Sequence, residues 1–294
     1  MGLSDTHENL QVDYIDEVLQ NELWNIILTS VFDNREIQLH IRHKVCLSIW
    51  AQFFHKRIDE VPHDKHVVGF TPSGDSAQEK QRKKDDIDGI KKYTKDWFVD
   101  ENTQWYEKYD LIEFILPFFP NTVRSFNNVL ERELSAYRIV NHSIVQIASP
   151  IERKEIERIF NSNFMSNHVK EHIDRALEKI SNKKRVSGKE KGDYSDSVKD
   201  SILAVEAICC EIVGDEDATL GDALNKIGNH IHINPALQKA FKIIYGYTSN
   251  SGGIRHALSS DDHIVSIEDA RFMLVACSAF TNYLLAKKLK SSDG

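Results

Sequence analysis

The sequence predicts an all-α protein, and three observations carry that reading. Apolar residues recur at intervals of three and four along most of the 294 residues, the period of a helix with one buried stripe. No segment shows the apolar–polar alternation of a half-buried strand. With 6 Pro and 13 Gly, the chain has too few turn-formers for a β-sandwich or a long disordered segment. At roughly 100–200 residues per domain, the length suggests two helical domains.

The first helix is expected from Asp13 to Phe32, with Tyr14, Ile15, Val18, Leu19, Leu23, Trp24, Ile27 and Val31 on its apolar stripe. A second spans Glu36 to Ile58 through Ile37, Ile41, Val45, Ile49 and Phe53. Pro62, Gly69, Pro72 and Gly74 then break the pattern, so residues 59–80 read as a long loop. Helices follow over Asp85–Phe98 and Trp105–Phe119, the latter ended by Pro117 and Pro120. Asn121 is placed to cap a helix running through Val129, Leu134, Tyr137 and Val140 to about Ile147.

Ser149-Pro150-Ile151-Glu152 is a capping box with Pro at the first helical position, opening one or two helices that reach Ile180. The polar stretch 181–195 includes Lys183, Lys184, Arg185, Lys189 and Lys191 against Glu190 alone, and reads as a linker. The expected domains are therefore 1–182 and 193–294. In the second, Val198, Ile202, Val205, Ile208, Cys209 and Ile212 line a helix that Gly214 ends. Thr219 and Asp222 open a short helix, and Asn234-Pro235 opens one that stops near Gly246. Ser266 and Asp269 open the last, which carries Ala270, Leu274, Cys277, Tyr283 and Leu284. These make a bundle of about four helices.

The balance of 37 Lys+Arg against 45 Asp+Glu gives a net charge of −8. A protein that coats nucleic acid non-specifically is normally basic, so any nucleic-acid contact here is expected to be local. The acidic, polar start has no secretory or transit pattern, and its match to a myristoylation signal lacks a basic flank and is set aside. No apolar run approaches ~20 residues, so no membrane partner is expected. Cys46, Cys209, Cys210 and Cys277 form no CxxC pair and sit in apolar helical stretches. They read as small hydrophobes in a cytoplasmic, reduced protein without structural zinc.

The residues that point to chemistry are Gly252-Gly253-Ile254-Arg255-His256 and then His263. The glycines relieve backbone crowding beside a guanidinium whose planar fork suits phosphate. Histidine can donate or accept a proton near neutrality. RNA carries its own nucleophile, the 2′-hydroxyl, so such a toolkit suffices to cleave it without metal or cofactor. The competing reading pairs Arg255 with Asp261 or Asp262 and leaves the histidines solvated.

Other clusters have blander readings. His230 and His232 lack a nearby third metal ligand, and so do His40 and His43 at i and i+3 of a helix. Trp97, Trp105, Tyr106 and Tyr109 at helical spacing read as core rather than as base-stacking platforms. Lys183, Lys184 and Arg185 either contact RNA or belong to a solvated linker, and both readings stay open. The chain has no phosphate-binding loop, dinucleotide fingerprint, HExxH or GxSxG.

The stretches SDSVKDSILAVEAICCEIVG, TLGDALNKI, INPALQKAFKIIYGYTSNSGGIRHAL and DARFMLVACSAFTNYLLAKK closely resemble the C-terminal HEPN domain of bacterial AbiJ-type abortive-infection proteins. WYEKYDLIEFIL and FNNVLERELSAYRIVNHSIVQI resemble one class of AbiJ N-terminal domain. The resemblance covers about Leu23 to Lys288. It implies a helical N-terminal sensing or regulatory domain, then a HEPN bundle that dimerises and, in active members, cleaves RNA without metal as a toxin-like defence against phage. The family signature is an Arg, usually followed by a polar residue, with four to six residues before a His. Arg255 and His256 match its first half, while His263 comes after seven intervening residues, one more than the pattern allows.

The resemblance thus implies a metal-independent endoribonuclease with Arg255, His256 and His263 as catalytic residues and Glu206 as a candidate orienting partner. Its partners would be an RNA substrate, a second copy of the chain through the HEPN domain, and a defence-system protein or antitoxin. The alternative is a non-catalytic HEPN adaptor that binds RNA or protein, which the longer spacing and the acidic net charge favour.

Overall fold

The computed structural model describes residues 10–62, 76–147, 149–181, 194–249 and 265–292. It is all-α, with eleven α-helices and one two-stranded sheet among these residues. It divides into two compact units, 1–144 and 145–294.

In the first unit, α1 (Glu17–Ile27) starts where the Asp16 carboxylate accepts the Leu19 backbone N–H at 2.7 Å. It runs into a single π-turn at Leu28–Phe32. The second expected helix is likewise α2 (Leu39–Ser48) continued by a π-turn at Ile49–Phe53. The following helix, α3 (Ser76–Val99), begins well before the expected Asp85. Its early turns are polar and solvated, so no apolar stripe marked them. Gly89 lies on α3 where the chain after α2 passes over it, and a Cβ there would run into the Pro62 carbonyl. The next helix, α4 (Trp105–Ile115), opens with a capping box in which the Gln104 N–H donates to Glu107 at 2.8 Å. Leu19, Leu23, Ile27, Ile49, Ile90, Leu111 and Ile112 form part of the core that these helices share.

The helix expected from Asn121 to about Ile147 is corrected. It ends as α5 (Val123–Arg132), and the chain then forms a hairpin of β1 (Arg138–Val140) and β2 (Ser143–Val145). Leu134 and Asn141 take the left-handed conformation, φ 51° and 55°, which ends the helix and makes the turn. Every residue of both strands is buried, which removes the alternation that would have revealed them. Polar side chains replace missing ladder partners. The Asn127 amide exchanges two 2.8 Å hydrogen bonds with the Ile139 backbone. Arg138, buried, donates to the carbonyls of Leu130, Ser135 and Tyr137 at 3.2, 2.7 and 2.7 Å.

The second unit contains α6 (Pro150–Asn161), α7 (Asn167–Ser181), α8 (Tyr194–Val213), α9 (Leu220–Lys226), α10 (Pro235–Ser249) and α11 (Ile267–Ser292). The expected caps form, with Ser149 on the Glu152 N–H, Thr219 on that of Asp222 and Ser266 on that of Asp269. The central helix, α8, packs between α7 and α11, while α11 also packs on α6. Asn282 on α11 donates to the Glu155 carbonyl on α6 at 2.7 Å. The bundle therefore includes α6 and α7 besides the four helices expected, and the units divide at 144/145 rather than at the basic stretch. That stretch, 182–193, lies outside the described residues. The division follows which apolar faces meet: Ile173, Ala176 and Leu177 of α7 are buried in this unit.

All four cysteines are buried and free. Burial pushes the Cys46 and Cys277 thiols up to about 12 and raises Cys209 as well, so these are inert packing groups. Among the described residues, no helix is long and apolar enough to cross a membrane.

Candidate functional site

Arg255, His256 and His263 lie in 250–264, outside the described residues, and so do Lys183, Lys184 and Arg185. The structure describes the frame that holds the ends of the Arg-His segment. On its N-terminal side stands α10, begun by Pro235 with the Asn234 side chain accepting the Ala236 N–H at 2.9 Å. Gln238 and Lys242 tie this helix back to α9, donating to the Leu224 carbonyl and the Asn225 side chain. Phe241 stacks on Phe280 of α11, with centroids 3.3 Å apart and planes 9° from parallel.

On the C-terminal side, buried Val265 leads into the Ser266/Asp269 box, in which the Ser266 N–H donates to the Asp269 carboxylate at 3.0 Å. The start of α11 is thereby fixed within two residues of the segment's end. On the N-terminal side α10 carries Lys239 and Lys242 and no carboxylate, whereas on the C-terminal side the first turn of α11 carries Glu268 and Asp269. In a chain of net charge −8, the α10 side is therefore the one toward which an anion would be drawn.

Glu206 is the one predicted site residue within the described part. Its carboxylate accepts the Leu220 N–H at 2.8 Å and so caps α9. A helix N-terminus is a favourable place for an anion, because its first N–H groups lack intrahelical acceptors. Glu206 thus joins α8 to the short helix on which α10 rests.

Of the other histidines and aromatics, His43, Tyr109 and Trp105 take structural positions, while His40 is exposed. His43 meets Asp86 at 2.7 Å, both side chains largely buried. Tyr109 is buried against the Ser135 hydroxyl at 2.9 Å, and burial raises its phenol well above the ordinary value. Trp105, partly buried, packs against the core, 5.9 Å from the Tyr109 ring and 5.3 Å from that of Tyr137. Among the described residues, no three His, Cys, Asp or Glu side chains converge on a metal position.

One cluster escaped the sequence reading. Asp200 on α8 is buried and meets three basic side chains of α7: Lys179 at 2.6 Å, Arg175 at 3.3 Å and His172 at 3.4 Å. The spacing of His172, Arg175 and Lys179, at i, i+3 and i+7, puts them on one helix face. That signal was legible, but the carboxylate that uses it is contributed by another helix. Burial lowers the His172 pKa; Asp200 raises it and Arg175 lowers it again, leaving it below its ordinary value.

Residues 1–162 match the family model described as AbiJ N-terminal domain 4. No curated protein and no solved structure matches the chain.

Proposed function

The chain belongs to the AbiJ N-terminal domain 4 family, which places it in the context of abortive-infection defence, and on that premise we propose that it is a metal-independent endoribonuclease. The observation that supports this reading most directly is the frame of α10 and α11. It anchors both ends of the segment containing Arg255, His256 and His263, and the helix that leads into the segment, α10, carries two lysines and no carboxylate in an acidic protein.

In the proposed reaction, a histidine takes the proton of the ribose 2′-hydroxyl, and that oxygen attacks the adjacent phosphorus. Arg255 stabilises the extra negative charge on the phosphoryl oxygens. A histidine proton passes to the 5′-oxygen as the P–O5′ bond breaks. The products carry a 2′,3′-cyclic phosphate and a 5′-hydroxyl. His256 and His263 are the candidates for the two proton transfers, and paired sites in a HEPN-type homodimer would supply more than one set. Glu206 supports the frame through its cap on α9. Lys183, Lys184 and Arg185 would contact the RNA backbone. The first unit, 1–144, would sense a trigger or restrain the HEPN-type bundle of the second, together with a defence partner or antitoxin in the cytoplasm.

The test is RNA cleavage in excess EDTA by wild type, Arg255→Ala and the His256→Ala/His263→Ala double variant. Wild type should leave cyclic-phosphate ends. Arg255→Ala should lose about 10²–10³-fold in rate, and the double variant about 10²–10⁴-fold. No cleavage by folded wild type would favour the adaptor reading, for which the seven residues between Arg255 and His263 speak.

A further inference from the structure

We propose that Arg35, Arg42 and Lys84 form a phosphate-binding cleft in the N-terminal unit, suited to a small phosphorylated ligand of nucleotide size. The cleft is about 340 Å³ and is lined by Phe32, Asp33, Arg35, Arg42, Lys84, Ile87 and Asp88. It lies where the connection between α1 and α2 meets α3. Pockets that take small molecules are typically roughly 300–1,000 Å³, so this one fits a mononucleotide or less.

The charge around the cleft is sorted in a particular way. Its two carboxylates share one cation, Lys91, whose ammonium is 3.3 Å from Asp33 and 3.0 Å from Asp88. Burial pulls the Lys91 pKa down, yet the two carboxylates hold it above its ordinary value. The neighbouring acids of α3 are engaged too, Asp85 with Gln81 at 2.7 Å and Asp86 with His43 at 2.7 Å. Arg35, Arg42 and Lys84, by contrast, have no ion-pair partner among the described residues. Lys83, one position away, is paired with Glu79 and serves as the contrast.

Arg42 carries the most weight. Its Nη1 donates to the Asn34 carbonyl at 2.8 Å, which fixes the guanidinium against the α1–α2 connection. Its Nε is buried and has no hydrogen-bond partner. A buried N–H without an acceptor is costly, and in native structures it calls for a missing one. A phosphate oxygen in the cleft would supply it once the guanidinium turns that edge outward. A phosphate group can also accept from Arg35 and Lys84 at the mouth, where both are exposed. Guanidinium forks suit tetrahedral oxyanions better than single-point ammonium groups do. Phe32 and Ile87, almost fully buried, give the wall an apolar edge and keep it rigid. The site does not depend on the ribonuclease reading.

The experiment uses the full-length protein in EDTA at physiological salt, with pyrophosphate, ATP, adenosine and a short single-stranded oligonucleotide as probes. Calorimetry should show saturable binding of pyrophosphate and ATP but not of adenosine, and both binders should raise the melting temperature. Arg42→Lys keeps the charge and loses the fork, and should weaken binding several-fold. Arg35→Gln/Lys84→Gln should weaken it at least about tenfold. Arg35 and Lys84 are exposed and have no ion-pair partner among the described residues, so the unliganded Arg35→Gln/Lys84→Gln variant should melt no lower than wild type. Arg255→Ala should bind both probes unchanged, which separates this site from the nuclease. The proposal falls if pyrophosphate and ATP fail to bind at about 1 mM. It also falls if the variants bind like wild type, or if only the oligonucleotide binds.

Discussion

Replacing Asp200 with Asn removes the charge on which three basic groups of α7 converge while keeping the shape of the side chain. Its closest contact, to Lys179 at 2.6 Å, is a charge-assisted hydrogen bond, and those to Arg175 and His172 are longer, at 3.3 and 3.4 Å. A hydrogen bond to a charged group contributes roughly 1.5–3 kcal/mol net. The partners temper this figure, since Lys179 and Arg175 keep 32% and 47% of their side-chain surface and can turn toward water when the carboxylate is gone. The expected loss is therefore about 1–2 kcal/mol, between the values for a buried and a surface pair. Asp215→Asn is the matched control. Its bond to Lys226 is of similar length, 2.8 Å, but both groups are exposed, so the unfolding transition should not move. Urea denaturation of both variants, with Lys179→Met and Asp200→Asn/Lys179→Met completing a double-mutant cycle, measures the difference. If Asp200→Asn behaves like Asp215→Asn, burial is not what gives this cluster its strength and the reasoning is wrong.

Two further outcomes follow from local physics. His172 has a folded-state pKa below its ordinary 6.5, with burial as the main cause and His168, Arg175 and Asp200 as its charged neighbours. The fold thus favours the neutral ring, so the stability it contributes is complete above pH 6.5 and is lost as pH falls through the lower folded value. Melting temperatures measured across that window should slope downward for wild type, and less steeply for His172→Gln. Gly89→Ala sets two effects of opposite sign against each other. Helix propensity alone promises a gain of about 1 kcal/mol in the interior of α3. The Pro62 carbonyl lies where the new methyl would go, and backbone cannot swing aside as a side chain can, so a net loss of about 1–3 kcal/mol is expected. A stabilised Gly89→Ala protein would show that the chain after α2 does not lie against α3.

What the sequence made legible was whatever leaves a local periodic trace. The three N-caps at Ser149, Thr219 and Ser266 are each a side chain that accepts the N–H three residues on, and each forms. The hairpin at 138–145 left no such trace. Ile139, Val140, Ile144 and Val145 are buried on both faces, so they read as a continuation of the apolar run begun by Val129 and Leu130. What stops the helix is the left-handed backbone at Leu134, a residue with no visible preference for it. The buried Asn127 and Arg138 were the available clue. Polar groups on an otherwise apolar stripe need partners, and here the partners are backbone groups of an irregular chain.

Functional charge was harder to read than fold, and α3 shows why. Lys83 and Lys84 are the same residue type side by side, yet about 100° apart around the helix axis. One faces Glu79 a turn earlier, and the other faces a cleft whose remaining walls come from the α1–α2 connection and α2. Sequence can pair Lys83 with Glu79, because i and i+4 are neighbours on any helix. It cannot report that Lys91 satisfies both Asp33 and Asp88, since Asp33 joins them only through tertiary packing. Whether a cation is available to a ligand is thus a property of the whole neighbourhood. The same holds for Asp200 and Glu206, two carboxylates on α8. The first is paired with Lys179 and Arg175 of α7, and the second is turned to the open end of α9. Identical chemistry on one helix serves opposite ends because different helices meet its two faces.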